Sequence, residues 1–152
     1  MRIALAADHA GFPLKQEVAA RLAQLSHEVI DLGCHSTAPV DYPDSAEAVA
    51  TSIRDGHADR GIICCGSGAG VSIAANKFPG IRAAVCHDTY TAHQAVEHDD
   101  LNVLCLGARI IGSAVAIELI EAFLGARFTA EDRHQRRLGK LLAIERRFTA
   151  GH

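Results

Sequence analysis

The sequence of 152 residues contains no tryptophan, only two tyrosines, and no run of 18 uninterrupted apolar residues. Because a transmembrane helix needs about 20 apolar residues, a membrane-spanning segment is excluded. The first apolar stretch ends at Asp8 and is too short for the apolar region of a secretory signal peptide, so we expect a cytoplasmic protein. The length, with 49% apolar and 22% charged residues, predicts one globular domain over residues 1–152.

A strong excess of charge of one sign is also lacking. The formal net charge is −3, which gives no reason to expect a nucleic-acid partner. One segment departs from this balance, because seven of the fifteen lysines and arginines lie between Arg127 and Arg147, together with only three acidic residues. These acids cannot neutralise the whole segment, so its basic side chains need another explanation.

The cysteines and histidines show no metal-ligand spacing. The five cysteines are an odd number and form no C-x-x-C pair, which argues against a disulfide framework and against a zinc site. Cys64, Cys86 and Cys105 lie in apolar runs and are expected to be buried. None of the nine histidines belongs to an H-E-x-x-H motif. We therefore expect neither a metal nor another cofactor.

Apolar runs of strand length alternate with segments of helical spacing. The runs are residues 2–7, 27–32, 61–65, 81–86 and 102–106. First-turn or capping residues mark most of the helices: Pro13, Pro43, Asp88 or Thr89, Ser113, and Thr129 with Asp132. This alternation predicts a three-layer α/β/α fold with a five-stranded parallel sheet. No strand follows the last helix, so we expect that helix to pack on a partner subunit.

The third predicted strand ends at Cys65 and a glycine-rich loop, residues 66–70 (Gly66, Ser67, Gly68, Ala69, Gly70). Parallel sheets bind ligands at the carboxyl ends of their strands, and backbone N–H groups of such a loop attract anions. A plain tight turn is the alternative. The loop is not a Walker A motif, and the third glycine of a dinucleotide fingerprint would fall at Val71. Asp88 has a suitable spacing for a ribose contact, so a nucleotide site remains an alternative.

Cys65 and two histidines are candidates for proton transfer. The dipoles of the glycine loop favour a thiolate at Cys65, which would then act as a base beside an oxyanion site, unless it is simply a buried cysteine. His9 follows Asp8, and His98 precedes Asp99, and each pair lies at the end of a predicted element. Histidine exchanges protons near neutral pH, so both are candidate acid–base groups.

Arg133, His134 and Arg137 share one face of the last predicted helix, because residues i, i+3 and i+4 are neighbours. Two guanidinium groups there can hold a phosphate with forked hydrogen bonds. A solvated basic face is the alternative interpretation.

Taken together, these motifs resemble the B-type ribose-5-phosphate isomerases, within the sugar-phosphate isomerase family that also includes galactose-6-phosphate isomerase subunits. The segments that carry the resemblance are Ala7-Asp8-His9-Ala10-Gly11, Asp41-Tyr42-Pro43, residues 64–77, Gly80-Ile81-Arg82-Ala83, Asn102-Val103-Leu104 and Arg133-His134-x-x-Arg137. They span almost the whole chain in order, and the segment around the glycine loop is the most specific of them.

The resemblance implies a Rossmann-like fold and a homodimer, in some members paired into a tetramer, with active sites between subunits. It implies isomerisation of ribose 5-phosphate through an enediolate, without a metal. It also implies roles for individual residues. The implied base is Cys65, and the implied anion hole is the backbone of Gly66, Gly68, Ala69 and Gly70. The sugar ring would be opened by His98 with Asp8, and the implied substrate contacts are Ser67, Tyr42, Asp99 and Asn102. The phosphate would be held by His9, Arg133 and Arg137, helped by Arg109.

Three positions bear on the chemistry and on the sugar. Members of this family that lack the cysteine carry a glutamate where this chain has Val71, so the resemblance implies the cysteine-dependent version. Asp99 stands where members often have asparagine, and Ser67 where threonine is common. Allose 6-phosphate, a tetrose phosphate or another pentose phosphate is therefore an alternative substrate. A non-catalytic nucleotide-binding module is the alternative of a different class, while an inactive subunit is disfavoured by the intact set of candidate residues.

Overall fold

The computed structural model describes residues 1–150, and residues 151–152 of the predicted domain lie outside it. Within that range, strands and helices alternate as predicted. The strands are β1 (Arg2–Ala7), β2 (Glu28–Asp31), β3 (Arg60–Cys65), β4 (Ala83–Val85) and β5 (Val103–Gly107). The helices are α1 (Phe12–Gln24), α2 (Tyr42–Arg54), α3 (Ala69–Ala75), α4 (Thr89–Asp99), α5 (Ser113–Gly125) and α6 (Asp132–Thr149).

The five strands form one parallel sheet in the order β2-β1-β3-β5-β4, which confirms the predicted α/β fold. In the register of the sheet, Ala7 lies opposite Cys64 and Cys65 lies opposite Gly107. The carboxyl ends of β1, β3 and β5 therefore meet at one edge. This register brings Asp8, the glycine loop and the turn after Gly107 next to one another.

Apolar side chains of the sheet alternate between two cores. Ile62 and Cys64 belong to the core that α1, α4 and α5 cover, whereas Ile63 and Cys65 belong to the core that α2 and α3 cover. Cys64, Cys86 and Cys105 are fully buried, as predicted. Burial raises the pKa of the Cys64 thiol to about 12.

Local details differ from the predictions at β4 and at two helix starts. Strand β4 has three residues rather than six, although the flanking Ile81 and Cys86 are buried. Asp88 caps α4 by accepting a hydrogen bond from the backbone N–H of Thr91. Ser113, in contrast, is already helical and follows the N-cap residue of α5, Gly112.

The predicted Thr129–Asp132 capping box is not formed at α6, where Glu131 is the N-cap residue. The hydroxyl of Thr129 is instead engaged with the ring of His134 and the backbone carbonyl of Glu97 on α4. The reason is that the segment before α6 docks on α4, and this contact uses the side chain that would have capped the helix.

Helix α6 packs only partly on its own chain. His134 is its only residue that is buried, and farther along the helix Glu145 accepts a hydrogen bond from the N–H of Gly80. Leu141, Ile144 and Phe148 stay largely exposed and line an apolar groove of about 790 Å³. Across residues 1–150, no helix is long and apolar enough to span a bilayer.

Candidate active site

A cavity of about 460 Å³ opens at the carboxyl edge of the sheet. Its lining consists of Asp8, His9, Ala10, Tyr42, Cys65, Gly66, Ser67, Gly70, Arg109 and Ile110. All of these except Ala10 and Ile110 were candidates from the sequence. The two apolar residues carried no chemical signal of their own, and only their position beside His9 and Arg109 could have pointed to them.

Cys65 lies at the end of β3, where the glycine loop folds around its sulfur. Its Sγ accepts a hydrogen bond from the N–H of Gly68 at 3.0 Å, and the residue is only 4% exposed. Gly68 has a φ of 82°, and a Cβ there would stand 3.2 Å from the carbonyl carbon of Leu106. Only glycine adopts this backbone at little cost, so Gly68 brings its amide to the sulfur.

The turn after β5 holds the same loop from the other side. The N–H of Ala108 donates to the carbonyl of Cys65 at 2.8 Å, and the N–H of Arg109 donates to the carbonyl of Gly66 at 3.0 Å. The guanidinium of Arg109 reaches the loop, with Nη1 3.3 Å from the position that a Cβ of Gly66 would take. The cationic side chain of Arg109 therefore lies beside the loop amides, and both attract an anion.

Asp8 and His9 form the wall of the cavity that follows β1. Asp8 is mostly buried and accepts a hydrogen bond from the N–H of Gly11 at 2.9 Å. The N–H of Val40 donates to Nδ1 of His9 at 3.2 Å. The carbonyl oxygen of Val40 lies at the same distance from this nitrogen, so the His9 ring is held against the backbone of the loop before α2.

Tyr42 closes the cavity from the first turn of α2. Its ring lies about as close to Gly70 as packing allows, since a Cβ on Gly70 would stand 3.0 Å from the ring carbon Cε2. Ser45, one turn along α2, donates a hydrogen bond from its hydroxyl to the carbonyl of Ala7 at 2.9 Å. This bond ties the start of α2 to the end of β1.

The second group of candidates lies elsewhere in the chain. His98, Asp99, Asn102, Arg133 and Arg137 line no part of the Cys65 cavity. His98 faces a separate surface cavity of about 460 Å³ on α4, and Asp99 lies at the apolar groove beside α6. The structure of one chain thus separates the candidates into two groups.

The side chains of this second group differ in how they are engaged. Asn102 accepts a hydrogen bond from the N–H of Arg82 at 2.7 Å and donates to the carbonyl of Gly80 at 2.9 Å, so both ends of its amide are used within the chain. Arg133 forms an exposed ion pair with Glu131 at 3.1 Å. Arg137 is exposed and makes no ion pair with any residue in the range 1–150.

His134 does not share the solvent-facing side with the two arginines. It is 1% exposed, and its ring stacks on that of His98 with centroids 4.0 Å apart. Burial, followed by the nearby charges of His98 and Arg133, lowers the pKa of His134. Helical spacing alone placed it with Arg133 and Arg137, but packing of α6 against α4 turns its ring inward.

The alternative nucleotide site finds little support in the geometry. Both carboxylate oxygens of Asp88 are bonded to Thr91, one to the backbone N–H and one to the hydroxyl, so this residue serves as a helix cap. Val71 is fully buried. Over the part of the chain that the structure describes, no three metal-ligating side chains come together.

Comparisons with known proteins agree over nearly the whole chain. Residues 3–141 match a family model described as Ribose/Galactose Isomerase. Ribose-5-phosphate isomerase B of Escherichia coli is 46% identical over 146 residues, covering 96% of this chain and 97% of the relative. D-erythrulose-4-phosphate isomerase of Pectobacterium atrosepticum is 45% identical over 130 residues, covering 84% and 85%. The solved structure of Clostridium thermocellum ribose-5-phosphate isomerase B superposes with a TM-score of 0.95 at 46% identity, covering 98% and 100% of the two chains.

Proposed function

The chain belongs to the ribose/galactose isomerase family, and we propose that it interconverts ribose 5-phosphate and ribulose 5-phosphate, with Cys65 as the base. It is an aldose–ketose isomerase. The observation that carries the proposed mechanism is the position of Cys65, whose Sγ lies at the cavity and accepts a hydrogen bond from the N–H of Gly68.

The proton transfer needs one base and one anion site. In the open-chain aldose, Cys65 removes the proton on C2, and the electron pair forms the C1–C2 double bond of an enediolate. The hydroxyl proton on C2 passes to the oxygen on C1, and the Cys65 thiol delivers a proton to C1, which leaves a carbonyl at C2 and a hydroxyl on C1. The loop amides and Arg109 stabilise the negative oxygen, and Ser67 contacts the substrate.

Phosphate binding and ring opening involve both groups of residues. His9 and Arg109 lie at the Cys65 cavity, whereas His98, Arg133 and Arg137 are not among the residues that line it. We therefore propose a homodimer in which α4 and α6 of one subunit cover the cavity of the other, or two such dimers as a tetramer. His98 and Asp8 would then open the furanose, Arg133 and Arg137 would hold the phosphate, and Asp99 and Asn102 would contact the sugar.

The exposed apolar groove supports this arrangement. Leu141, Ile144 and Phe148 on α6 are apolar and exposed, and such patches are typical of protein interfaces. The partners proposed for the chain are thus a small sugar phosphate and a second copy of itself, in the cytoplasm.

A tetrose phosphate is the second candidate substrate, because a relative of nearly equal identity is named D-erythrulose-4-phosphate isomerase. A screen of aldose phosphates with four to six carbons, without added metal, separates the candidates. We expect the highest kcat/KM for ribose 5-phosphate. A higher value for a tetrose phosphate or for allose 6-phosphate would contradict the proposed substrate, and thermal stabilisation by nucleotides alone would contradict the enzymatic function.

Complementation tests whether the site is shared between two copies. Cys65→Ala and His98→Ala chains are co-expressed with different affinity tags, and the doubly tagged species is purified. In a mixed dimer one of the two sites keeps both residues, so we expect about half of the wild-type turnover. Failure to recover doubly tagged protein would contradict the dimer, and an inactive mixed dimer would contradict a shared site.

A further inference from the structure

His134 is the one residue of α6 that the chain buries, and its surroundings differ from those of a phosphate ligand. Arg133 and Arg137, its neighbours on the helix, are exposed, whereas the ring of His134 is covered and stacks on His98 at 4.0 Å with 28° between the ring planes. A histidine in this position touches the candidate acid–base residue rather than solvent or a ligand.

The hydrogen bonds of His134 indicate which ring nitrogen carries its proton. Nδ1 lies 2.5 Å from the hydroxyl oxygen of Thr129, and that oxygen lies 3.3 Å from the carbonyl of Glu97. The hydroxyl has one proton. If it donates to Glu97, the oxygen accepts from Nδ1–H of His134, and both bonds are satisfied.

Nε2 of His134 is then an unprotonated acceptor. Among the described residues it is the only buried side-chain nitrogen or oxygen without a hydrogen-bond partner. Leaving a neutral acceptor unpaired costs far less than leaving a charge unpaired in the same place. The environment therefore favours a neutral His134 with its proton on Nδ1. The lowered pKa of His134, caused first by burial and then by the charge of His98, agrees with this assignment.

We propose that His134 is a positioning residue for His98: its neutral ring supports one face of the His98 imidazole, and its bond to Thr129 fixes that support to the backbone beside His98. The second contact of His98, between its Nδ1 and the side-chain amide of Gln94 at 3.0 Å, holds the ring within its plane. The backbone N–H of Thr129 also donates to Glu97 at 3.1 Å, so the support is attached at two points.

The inference rests on the proposed function, in which His98 takes part in ring opening. In that step the C1–O4 bond of the furanose breaks, a proton leaves the hydroxyl on C1, and a proton is delivered to O4. Two protonated imidazoles at 4.0 Å would repel each other, so a neutral His134 places no like charge against the His98 ring during these proton transfers.

Ring opening can be separated from proton transfer because the two sugars differ. Ribose 5-phosphate closes to a furanose through O4, whereas ribulose 5-phosphate cannot form a furanose, since its O5 carries the phosphate. Exchange of a C1 hydrogen of ribulose 5-phosphate with solvent deuterium needs Cys65 but no ring opening. A residue that positions His98 therefore affects the turnover of ribose 5-phosphate and spares this exchange.

The test compares His134→Ala, His134→Phe and the control His57→Ala, which changes an exposed histidine at the end of α2. We expect His134→Ala to lower kcat for ribose 5-phosphate about tenfold and to change the deuterium exchange of ribulose 5-phosphate by less than about twofold. His134→Phe keeps a stacked ring and should restore kcat to within about threefold of wild type. The control should match wild type in both reactions.

Two results would overturn the role of His134. One is a parallel loss of turnover and exchange in a folded variant, and the other is a phenylalanine variant as impaired as the alanine variant. If His134→Ala does not fold, His134→Gln, which keeps a polar group near Thr129 without a ring, takes its place. Wild-type protein that neither turns over ribose 5-phosphate nor exchanges ribulose 5-phosphate would instead refute the proposed function.

Discussion

The Cys65 cavity and the His98 face are held in different ways. At the cavity, backbone hydrogen bonds join the ends of neighbouring strands: the N–H of Asp8 donates to Cys64 at 3.2 Å, and the N–H of Ala108 donates to Cys65 at 2.8 Å. At the other face, the candidate side chains of α4 and α6 project from helix surfaces, and His98 is supported by the stack with His134 and by a hydrogen bond with Gln94. The strand-end residues are thus brought together within one chain, whereas the proposed role of the helix-face residues depends on the proposed second subunit.

The largest effect should come from the two adjacent cysteines, because only one of them reaches the cavity. Cys65→Ala should lower kcat/KM by about 10²–10⁴-fold, the usual contribution of a proton-transfer group. Cys64→Ala, in the opposite core, should keep kcat within about twofold of wild type and lower the free energy of unfolding by about 1 kcal/mol. Steady-state kinetics and urea unfolding provide both numbers. Near-normal turnover of Cys65→Ala would exclude this thiol as the base.

On the helix face, the contribution of Arg137 should appear in substrate affinity. Arg137→Ala should raise KM about 10–100-fold with a smaller change in kcat, because a charge-assisted hydrogen bond to phosphate contributes about 1.5–3 kcal/mol. Arg136→Ala removes the same charge from the neighbouring position and is the matched control. Equal KM values for the two variants would show that the effect is general electrostatics and not a phosphate contact.

The support of the glycine loop can be weakened with a single methyl group. A Cβ at Gly107 would stand 2.6 Å from the carbonyl oxygen of Ser67, so Gly107→Ala must push the loop away from β5. We expect kcat to fall about tenfold, the scale of a small misplacement of reacting groups. Gly112→Ala is the control, because nothing lies within 4 Å of the added Cβ. If both variants keep wild-type kcat, close packing under the loop is not needed for catalysis.

The last predicted effect concerns stability, and not catalysis, at the β1 side of the cavity. Lys15 is buried, and its ammonium group donates a hydrogen bond to the carboxylate of Asp31 at 2.6 Å. The same carboxylate accepts a hydrogen bond from the backbone N–H of Gly33. The carbonyl of Gly33 accepts a hydrogen bond from the backbone N–H of Ala7, which links this pair to β1. Asp31→Asn leaves the lysine charge without its partner. Since the Asp31 side chain is 39% exposed, we expect a loss of about 2 kcal/mol, less than for a fully buried pair.

The pH dependence of this stability follows from the pKa of Asp31. Burial is the largest single influence and opposes its ionisation, but the hydrogen bonds from Lys15 and Gly33, together with the charges of Lys15 and His35, outweigh burial, and the pKa of Asp31 is lowered. The stabilisation is therefore present above the ordinary carboxyl pKa of about 4 and is lost as the pH falls below it. Urea unfolding of wild type and Asp31→Asn should converge at low pH. Asp59→Asn, in an exposed pair with Arg2, should cost less than about 1 kcal/mol.

Local patterns predicted most of the fold. Strand β1 was predicted at residues 2–7 and is observed there. The prediction succeeded because an apolar run of strand length that ends at a charged residue, Asp8, is typical of a buried strand. Strand β4 was predicted too long because burial of Ile81 and Cys86 does not require that they pair. Thr129 was assigned to a helix cap, since a capping motif in the sequence does not reveal that another element competes for its hydroxyl.

The sequence by itself determined the alternating elements, the glycine loop and the chemistry available at the strand ends, since each depends on residues close together in the chain. Only the tertiary structure decided which helices cover Cys64 and which cover Cys65, that Asn102 bonds within its own chain, and that His134 turns under His98. These outcomes depend on which surfaces meet when distant elements pack, and neither spacing nor composition contains that information.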